Sequence, residues 1–360
     1  MHAVAPTSLS IVASAESLSA EWLTEVLVGS GAAEPGSRVL DLALERIGEG
    51  KIGCNLRCSL TFEPAGAGPA TVVVKLPSDD AGSRATGVSL GLYEREVRFY
   101  RDLAGKVGCR VPHCHAALFD GATGDYTLVL EDLAGARTGD QLAGCTPGEA
   151  RAAVDALARL HASFWDRPVP AWLPPGMAQS AEGVGQLYGA LVPGFVDHYR
   201  DALPPEVLDL LGAFAERFAE WGRRAAAGPL SVVHGDFRLD NLLFEVDGEP
   251  AVAAVDWQTV AHGSPAADLA YFIGAGLVPE TRRALETELV ERYLNEIESL
   301  GVTVPDRDEF EDCYAANTLA GLIMAVLPAM MVGESERSRA LFGVMAERHA
   351  RHAIDKGALS

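Results

Sequence analysis

The chain has 360 residues and 48% of them are hydrophobic, which is enough for two domains or one large two-lobed domain with a sizeable core. Its formal net charge of −21 argues against nucleic acid and anionic membrane surfaces as partners, because both require clustered lysine and arginine. The N-terminus lacks the features of a signal peptide, and the longest apolar run, Leu319 to Val332, is too short to span a bilayer. We therefore expect an acidic cytoplasmic protein without a membrane or nucleic-acid partner.

The N-terminal region predicts a helix followed by two strands that flank a glycine-rich turn. The helix is expected over Ser17 to Val28, with Ser17 or Ser19 as its cap. Residues 39–47 and 55–62 alternate between apolar and polar side chains, as strands do. The turn between these strands contains three glycines, Gly48, Gly50 and Gly53. Such a turn lets backbone amides approach phosphate groups closely, although a tight hairpin has the same need for glycine.

A lysine lies inside the short apolar run from Thr71 to Leu76. Because an ammonium group in an apolar strand needs an anionic partner, we expect Lys75 to pair with a carboxylate of the following helix. That helix includes Leu92 to Tyr100, and it offers Glu96 and Glu94 as candidates. The alternatives are an edge-strand lysine that points to water and a solvated glutamate on an amphipathic helix.

The middle of the chain combines two clear helices with one segment that is difficult to interpret. Residues 147–165 and 206–226 have helical apolar faces. We expect His161, in the first of these helices, to be a hydrogen-bonded core histidine rather than a catalytic one. The segment from Asp166 to Gly194 is rich in proline and glycine and predicts a long loop, which is often functional in compact domains.

Three short strands between Ser231 and Trp257 present a carboxylate, an amide and a second carboxylate. The first strand ends shortly before Asp236, and four residues separate Asp236 from Asn241. A hairpin turn is predicted at Asp247-Gly248, and the strand after it carries Asp256 at its end.

These three groups are typical of phosphoryl transfer. Asp236 can position an attacking hydroxyl and accept its proton, while Asn241 and Asp256 can supply oxygen ligands for Mg²⁺. The spacing of the first two, and the order of all three, match a kinase catalytic loop. A β-hairpin with unrelated surface carboxylates is the alternative, and the combined spacing disfavours it.

The sequence resembles the aminoglycoside phosphotransferase and choline kinase superfamily in HGDFRLDN at residues 234–241 and DWQ at 256–258. This stretch is most similar to the ecdysteroid-kinase-like branch. The resemblance implies an α+β, protein-kinase-like fold with two lobes, and ATP-dependent phosphorylation of a hydroxyl on a small molecule. It covers nearly the whole chain but does not identify the acceptor.

The resemblance also divides the chain and assigns roles. It implies a small lobe over residues 1–132, with a five-stranded antiparallel sheet, and a helical lobe over residues 133–360, with an acceptor-site insertion around residues 166–200. The glycine-rich turn and Lys75 would hold the ATP phosphates, Glu96 would orient Lys75, and backbone near Glu131 and Leu133 would bind the base. The implied site residues are Asp236, Asn241 and Asp256 for catalysis; Lys75, Glu96, Gly48, Gly50, Gly53, Glu131 and Leu133 for the nucleotide; and Asn241 and Asp256 for Mg²⁺.

Two other functions compete with a small-molecule kinase. A protein kinase is disfavoured because only eleven residues separate Asp256 from Asp268, which leaves no room for a long activation segment. Gly235 also replaces the arginine on which a phosphorylated activation loop docks. A nucleotide-binding regulatory module without catalysis is the remaining alternative, although every chemical group is present. Two roles stay open. Arg238 contacts phosphate or acceptor, or is an exposed loop residue. The resemblance implies that Asp268 braces the catalytic loop, and the alternative is a simple helix-start acid.

Overall fold

The computed structural model describes residues 9–48, 52–246, 251–331 and 335–359. The chain forms two compact units. Unit 1 comprises Met1–Lys106, Val111–Gly135 and Asp256–Thr259, and unit 2 comprises Val107–Arg110, Ala136–Val255 and Val260–Ser360. Unit 1 is built on an antiparallel sheet and unit 2 is mainly helical, so the predicted α+β class is confirmed.

Unit 1 contains a five-stranded antiparallel sheet with the strand order β1-β2-β3-β5-β4. Its strands are β1 (Arg38–Arg46), β2 (Gly53–Glu63), β3 (Thr71–Pro77), β4 (Cys114–Phe119) and β5 (Tyr126–Glu131). Its helices are α1 (Ala20–Gly29), α2 (Ala81–Ser89) and α3 (Leu92–Asp102). Of the two predicted caps, Ser19 is the one used, because its side chain accepts the Trp22 N–H.

The register of this sheet places Lys75 on a central strand. Lys75 lies opposite Asn55 of β2 and opposite Leu128 of β5. A strand that is paired on both sides leaves no free edge of backbone groups to solvent. The edge-strand interpretation of Lys75 is therefore wrong.

Unit 2 contains nine helices within the residues that the structure describes. They are α4 (Pro147–Ala162), α5 (Ala181–Tyr199), α6 (Pro205–Glu216), α7 (Phe218–Ala225), α8 (Pro265–Gly276), α9 (Pro279–Ser299), α10 (Arg307–Asn317), α11 (Ala320–Met331) and α12 (Glu336–Asp355). Two small sheets accompany them, with strands β6 (Arg137–Thr138), β7 (Ser231–Val233), β8 (Leu242–Phe244), β9 (Val252–Ala254) and β10 (Ala261–Gly263). The first has the order β6-β8-β9, and the second pairs β10 with β7. The hairpin turn predicted at Asp247-Gly248 lies outside the described residues.

Two predictions in the middle of the chain are wrong. The loop expected from Asp166 to Gly194 is helical from Ala181 onward, in α5, despite four glycines and Pro193. At least one of these glycines serves packing, because a Cβ on Gly185 would lie 2.7 Å from the Phe218 ring. The single helix expected over residues 206–226 is interrupted at Arg217, which separates α6 from α7. In the first of these places, tertiary packing overrides local propensity.

The stretch Arg307–Met331, which includes α10 and α11, is long and apolar enough to cross a membrane by length and composition. However, 72% of its 18-residue apolar window is buried inside the protein. Its burial is that of core helices in unit 2, where Leu322, Ile323 and Val326 belong to a large apolar cluster.

Candidate active site

A buried lysine–glutamate pair lies within unit 1. Lys75 Nζ donates to Glu96 Oε1 at 2.6 Å, and Asp256 Oδ1 lies 3.5 Å from the same nitrogen. The Lys75 and Glu96 side chains are 7% and 0% exposed, whereas that of Asp256 is 42% exposed. Burial lowers the pKa of Lys75, but the Asp256 and Glu96 carboxylates more than offset this, so its pKa lies above the ordinary value. Unit 1 thus holds a fixed positive charge beside an accessible carboxylate.

Glu96, and not Glu94, is the partner of Lys75. Glu96 Oε1 also accepts the Trp257 N–H at 3.3 Å, and the indole of Trp257 stacks on Phe99 with ring centroids 3.8 Å apart. Glu94 instead pairs with Arg98, one turn further along the same helix. The two glutamates therefore have distinct environments although they are two residues apart.

Asp256 has an unusual backbone conformation for a residue other than glycine. Its φ is 65°, in the left-handed region, which costs roughly 1–2 kcal/mol for an L-residue. The neighbouring Trp257 anchors the segment through its stacked ring and its bond to Glu96. Strained residues of this kind cluster at functional sites, where their surroundings over-determine them.

The three glycines of the predicted phosphate turn have different settings. Gly48 has a φ of 70°, which favours glycine, while Gly50 lies outside the described residues. Gly53 begins β2, and a Cβ there would lie 2.9 Å from Tyr126 Oη and 3.2 Å from Leu76 O. Packing within unit 1 therefore requires a glycine at position 53, whatever else it contacts.

The backbone expected to bind the base is partly committed to the fold. The Glu131 N–H donates to His113 O at 2.8 Å, and the Glu131 carboxylate accepts the His113 N–H at 2.9 Å. Leu133 follows two residues later and is half-buried. A nucleotide base that forms hydrogen bonds with the backbone here cannot accept the Glu131 N–H, because that group already donates to His113 O.

In unit 2, both carboxylate oxygens of Asp236 have hydrogen-bond donors. Tyr271 Oη donates to Oδ1 at 2.7 Å. Asn241 Nδ2 and Arg238 Nε donate to Oδ2 at 2.9 Å and 3.1 Å, and Asn241 Nδ2 also reaches Asp236 O at 3.0 Å. Because the amide nitrogen of Asn241 is used in this way, its amide oxygen is the atom that a cation could take.

Arg238 lies between two carboxylates of the same loop. Besides Asp236, it donates to Asp240 Oδ2 at 2.5 Å. Burial lowers the pKa of Arg238, but Asp236 and Asp240 raise it by more, so the guanidinium stays charged. Its side chain is 22% exposed. Arg238 is therefore an ion-paired residue that shapes the loop, and not an exposed one.

Asp268 braces the loop that precedes Asp236. Its carboxylate accepts the N–H of His234 at 2.6 Å and that of Gly235 at 3.0 Å. His161 Nε2 lies 3.4 Å from the same carboxylate, and His161 Nδ1 lies 2.7 Å from Tyr293 Oη. Gly235 has a φ of 81°, which explains the glycine where a kinase loop has arginine. Of the two interpretations of Asp268, the structure therefore supports the brace, and His161 is a hydrogen-bonded core histidine.

Gln141 and Arg348 support the same loop and were missed in the sequence. Gln141 Oε1 accepts the Leu239 N–H at 2.8 Å, and Gln141 Nε2 donates to Ala275 O at 2.8 Å. Arg348 donates to the carbonyls of Gln141 and Ala275 at 2.9 Å and 2.8 Å. These partners are far apart along the chain, so no local pattern could have identified them.

Tyr271 was also missed, although a signal for it existed. It lies three residues after Asp268, so both side chains occupy one face of α8. An Asp268 that braces the loop predicts that its helical neighbour also faces the loop.

The oxygen ligands present suit a magnesium ion that is also bound by substrate phosphates, rather than a metal ion held by protein ligands alone. Among the described residues, no group of three or more His, Cys, Asp and Glu is arranged to hold a metal ion. Magnesium is commonly bound through one or two protein oxygens together with substrate phosphates. The exposed carboxylate of Asp256 in unit 1 and the amide oxygen of Asn241 in unit 2 could each serve as a ligand of this kind.

Comparison with known proteins places this geometry in context. Residues 65–309 match the profile of a phosphotransferase enzyme family. The structure of a Plasmodium vivax ethanolamine kinase is similar to this one, with 12% sequence identity and a TM-score of 0.54. The alignment covers 91% of this chain and 87% of the kinase chain. The GDP complex of an aminoglycoside 2′-phosphotransferase mutant is also similar, with 13% identity and a TM-score of 0.53. That alignment covers 89% of this chain and 94% of the phosphotransferase chain. These likenesses confirm the expected kinase-like fold.

Two relatives match a shorter part of the chain. Acyl-CoA dehydrogenase family member 10 of Mus musculus is 29% identical over 138 residues, which are 35% of this chain and 13% of the mouse protein. Acyl-CoA dehydrogenase family member 11 of Gallus gallus is 26% identical over 121 residues, 29% of this chain and 15% of the chicken protein. The matched segments are therefore small parts of both relatives.

Proposed function

Because the chain belongs to the phosphotransferase enzyme family, we propose that it transfers the γ-phosphoryl group of ATP to a hydroxyl of a small molecule. The predicted superfamily is confirmed, while the ecdysteroid-kinase-like branch stays a prediction. The observation that carries the proposal is the setting of Asp236, a carboxylate held by three donors in a loop that Asp268 braces. Such a fixed carboxylate is what in-line transfer to a hydroxyl requires.

In the proposed reaction, unit 1 supplies the group that binds phosphate. Lys75 stays positively charged, and Glu96 fixes its direction, so the ammonium acts as a preorganised partner for the α- and β-phosphates of ATP. Asp256 and Asn241 each offer an oxygen to Mg²⁺, which when bound neutralises charge on the phosphates. Preorganisation matters because no energy is then spent on reorienting the lysine during transfer.

The transfer step itself depends on Asp236. The acceptor oxygen forms a bond to the γ-phosphorus while the bond from this phosphorus to the β–γ bridging oxygen breaks, and ADP leaves. The hydroxyl proton passes to the Asp236 carboxylate late in the step. A carboxylate is a weak base towards an alcohol, which is tolerable because the transition state is loose and needs little activation of the nucleophile.

The acceptor can be sought among a few classes of alcohol. The names of the similar proteins suggest an amino alcohol such as ethanolamine and an aminoglycoside. A hydroxyacyl thioester is a further candidate. Macrolides and sterol-like alcohols complete the set. Adding these compounds singly to the protein with ATP and Mg²⁺, and measuring ADP formation, tests the proposal directly.

The matched control is the protein with Asp236→Asn, which keeps the shape but removes the base. We expect one compound to raise ADP formation in the wild type and the variant to be slower by at least about 100-fold, with similar ATP binding. If the wild type binds Mg-ATP but no compound raises ADP formation above the Asp236→Asn level, the regulatory module without catalysis becomes the better hypothesis.

A further inference from the structure

We propose that Phe99 and Arg95 are positioning residues that hold Asp256, the proposed magnesium ligand, in its left-handed conformation. The same helix carries Glu96, the partner of Lys75, so α3 fixes both the ammonium and the carboxylate that unit 1 offers to a nucleotide. The inference rests on the proposed function and deepens it, because it assigns the support of the metal ligand to one helix. Three observations, all within unit 1, support it.

The first observation is that the side chain of Asp256 does little to hold its own conformation. Asp256 has a φ of 65°, although it is not a glycine. Its carboxylate is 42% exposed, and the one hydrogen bond described for it joins Oδ1 to Lys75 Nζ at 3.5 Å, which is longer than most hydrogen bonds. A conformation of this kind persists only where the surrounding structure fixes it. The residues on either side of Asp256 therefore supply the support, and those that follow it lie in unit 1.

The second observation is the stack between Trp257 and Phe99. The ring centroids are 3.8 Å apart, the planes are 7° apart, and both side chains are fully buried. Phe99 is held in turn by Tyr100, whose ring lies edge-on to it with centroids 5.4 Å apart. The Trp257 N–H also donates to Glu96 Oε1 at 3.3 Å. Rotating Asp256 to a negative φ would move the indole that follows it, so the stack opposes that rotation.

The third observation is a hydrogen bond to the next residue along the chain. Arg95 lies one turn before Phe99 on α3, so both side chains occupy one face of this helix. Arg95 donates to Gln258 O and to Leu90 O, at 3.2 Å each. Its guanidinium forms no ion pair with a carboxylate of the described residues. Its hydrogen bonds to carbonyls therefore tie the residues after Asp256 to α3.

Together, these contacts separate two contributions to nucleotide binding. Helix α3 holds residues 257–258 through an indole ring, a backbone N–H and a backbone carbonyl, while the Asp256 carboxylate stays accessible. Lys75 has a direct ion pair with Glu96, at 2.6 Å, that does not involve the stack. Loss of the stack should therefore weaken the contribution of Mg²⁺ to nucleotide affinity and spare the contribution of Lys75.

The test is Phe99→Leu, which removes the stacked ring but keeps an apolar side chain. The probe is ADP, which has no γ-phosphoryl group to transfer, and its dissociation constant is measured by calorimetry with a chelator and with Mg²⁺. In the wild type, Mg²⁺ should tighten ADP binding. In Phe99→Leu, the ratio of the two constants should fall towards one, by roughly three- to tenfold, because an aromatic pair is worth that much. The constant without Mg²⁺ should stay within about twofold of the wild-type value, because Lys75 is not part of the stack.

Phe62→Leu is the matched control. Phe62 is also a buried phenylalanine of unit 1, but it belongs to the apolar cluster that includes Leu23 and Leu27 of α1. Chemical denaturation measures the stability of both variants, and Phe62→Leu should lower the stability but keep the wild-type Mg²⁺ ratio. If Phe99→Leu also keeps that ratio, Phe99 serves the fold alone and the inference is overturned.

Substitutions of Trp257 test the same stack from its other side. Trp257→Phe keeps a ring that can stack on Phe99, whereas Trp257→Leu does not. The Mg²⁺ ratio should therefore be higher in Trp257→Phe than in Trp257→Leu. Combining Trp257→Leu with Phe99→Leu should lower the ratio no further than either change alone, because both remove one interaction. Equal ratios in the two Trp257 variants, or additive losses in the double variant, would overturn the inference.

If the variants of the stack do not fold, Arg95→Met decides the matter, because Arg95 is only half-buried. The Mg²⁺ ratio should fall by roughly threefold when the hydrogen bond to Gln258 O is lost. An unchanged ratio in a folded Arg95→Met protein would contradict the inference.

The wild type separates this inference from the proposed function. Equal ADP affinity with and without Mg²⁺ would overturn the assignment of Asp256 as a metal ligand and, with it, the inference. A wild type that binds ADP more tightly with Mg²⁺ but transfers no phosphoryl group would instead reject the proposed transfer alone. The two failures are therefore distinguishable.

Discussion

Unit 1 and unit 2 each immobilise one charged group, but they use different interactions. In unit 1, the position of Lys75 depends on an ion pair with Glu96 and on the nearby Asp256 carboxylate. In unit 2, the position of Asp236 depends on hydrogen bonds to its side chain and on Asp268, which holds the backbone before it. One group is held by charge, and the other mainly by a rigid loop.

This difference follows from the task proposed for each group. A cation that binds phosphate keeps its charge throughout the reaction, so a permanent counter-charge does not interfere with it. A base must change its protonation state, so holding it through neutral donors and through its backbone limits the electrostatic penalty. Arg238 is the exception in unit 2, and its charge is shared with Asp240.

The largest effect is expected from removing the brace of unit 2. Asp268→Ala leaves the buried His234 N–H and the half-buried Gly235 N–H without their acceptor, which should lower the free energy of unfolding by about 3 kcal/mol. Displacement of Asp236 should lower kcat by roughly 100-fold. Chemical denaturation and steady-state kinetics measure the two effects. Glu280→Ala, at an acid in the first turn of α9, is the control, and an equally small effect of both changes would mean that Asp268 is only a helix-start acid.

An intermediate effect, on the use of ATP, is expected from a substitution in unit 1. Glu96→Gln removes the counter-charge of a buried lysine, so kcat/KM for ATP should fall by roughly tenfold or more. Glu94→Gln is the matched control, because Glu94 lies on the same helix and pairs with Arg98 at the surface. Initial rates at varied ATP concentration separate the two variants. If they behave alike, Lys75 does not depend on its ion pair.

The smallest effect at neutral pH is expected from His349→Phe. This substitution tests how the stability of the fold changes in acid. Burial lowers the pKa of His349 from 6.5 to about 3, with further lowering from His352 and Arg348. Between these values the unfolded chain binds a proton that the folded chain does not, so the fold loses stability as pH falls from about 6.5 towards 3. The loss is at most about 1.4 kcal/mol per pH unit from this group.

The His349→Phe variant should therefore lose less stability than the wild type as the pH falls from about 6.5 to about 4, while differing little in pH dependence above about pH 7. Denaturation curves at a series of pH values measure this slope. His115→Phe provides the comparison in unit 1, because burial also lowers the pKa of His115, to about 4. Identical slopes for the wild type and His349→Phe would mean that acid unfolding begins elsewhere.

Much of the site follows from spacing along the chain. The gap between Asp236 and Asn241, together with the strand that ends at Asp256, is enough to predict phosphoryl transfer from the sequence. Lys75 in an apolar strand predicts a carboxylate partner for a general reason, since a buried charge without one is too costly. The glycines and proline of α5 had the opposite effect, because they suggested a loop where packing stabilises a helix.

Sequence by itself determined the chemical groups, because motif spacing is a property of short segments, and the resemblance carried by those motifs implied the fold class. Only the tertiary structure decided between Glu96 and Glu94 and gave Arg238 and Asp268 their partners. It also brought Gln141 and Tyr271 to the loop and stacked His349 on Tyr271. The physical reason is that hydrogen bonds and buried charges are satisfied by whichever groups the packing brings within about 3 Å, and most of those groups lie far apart along the chain.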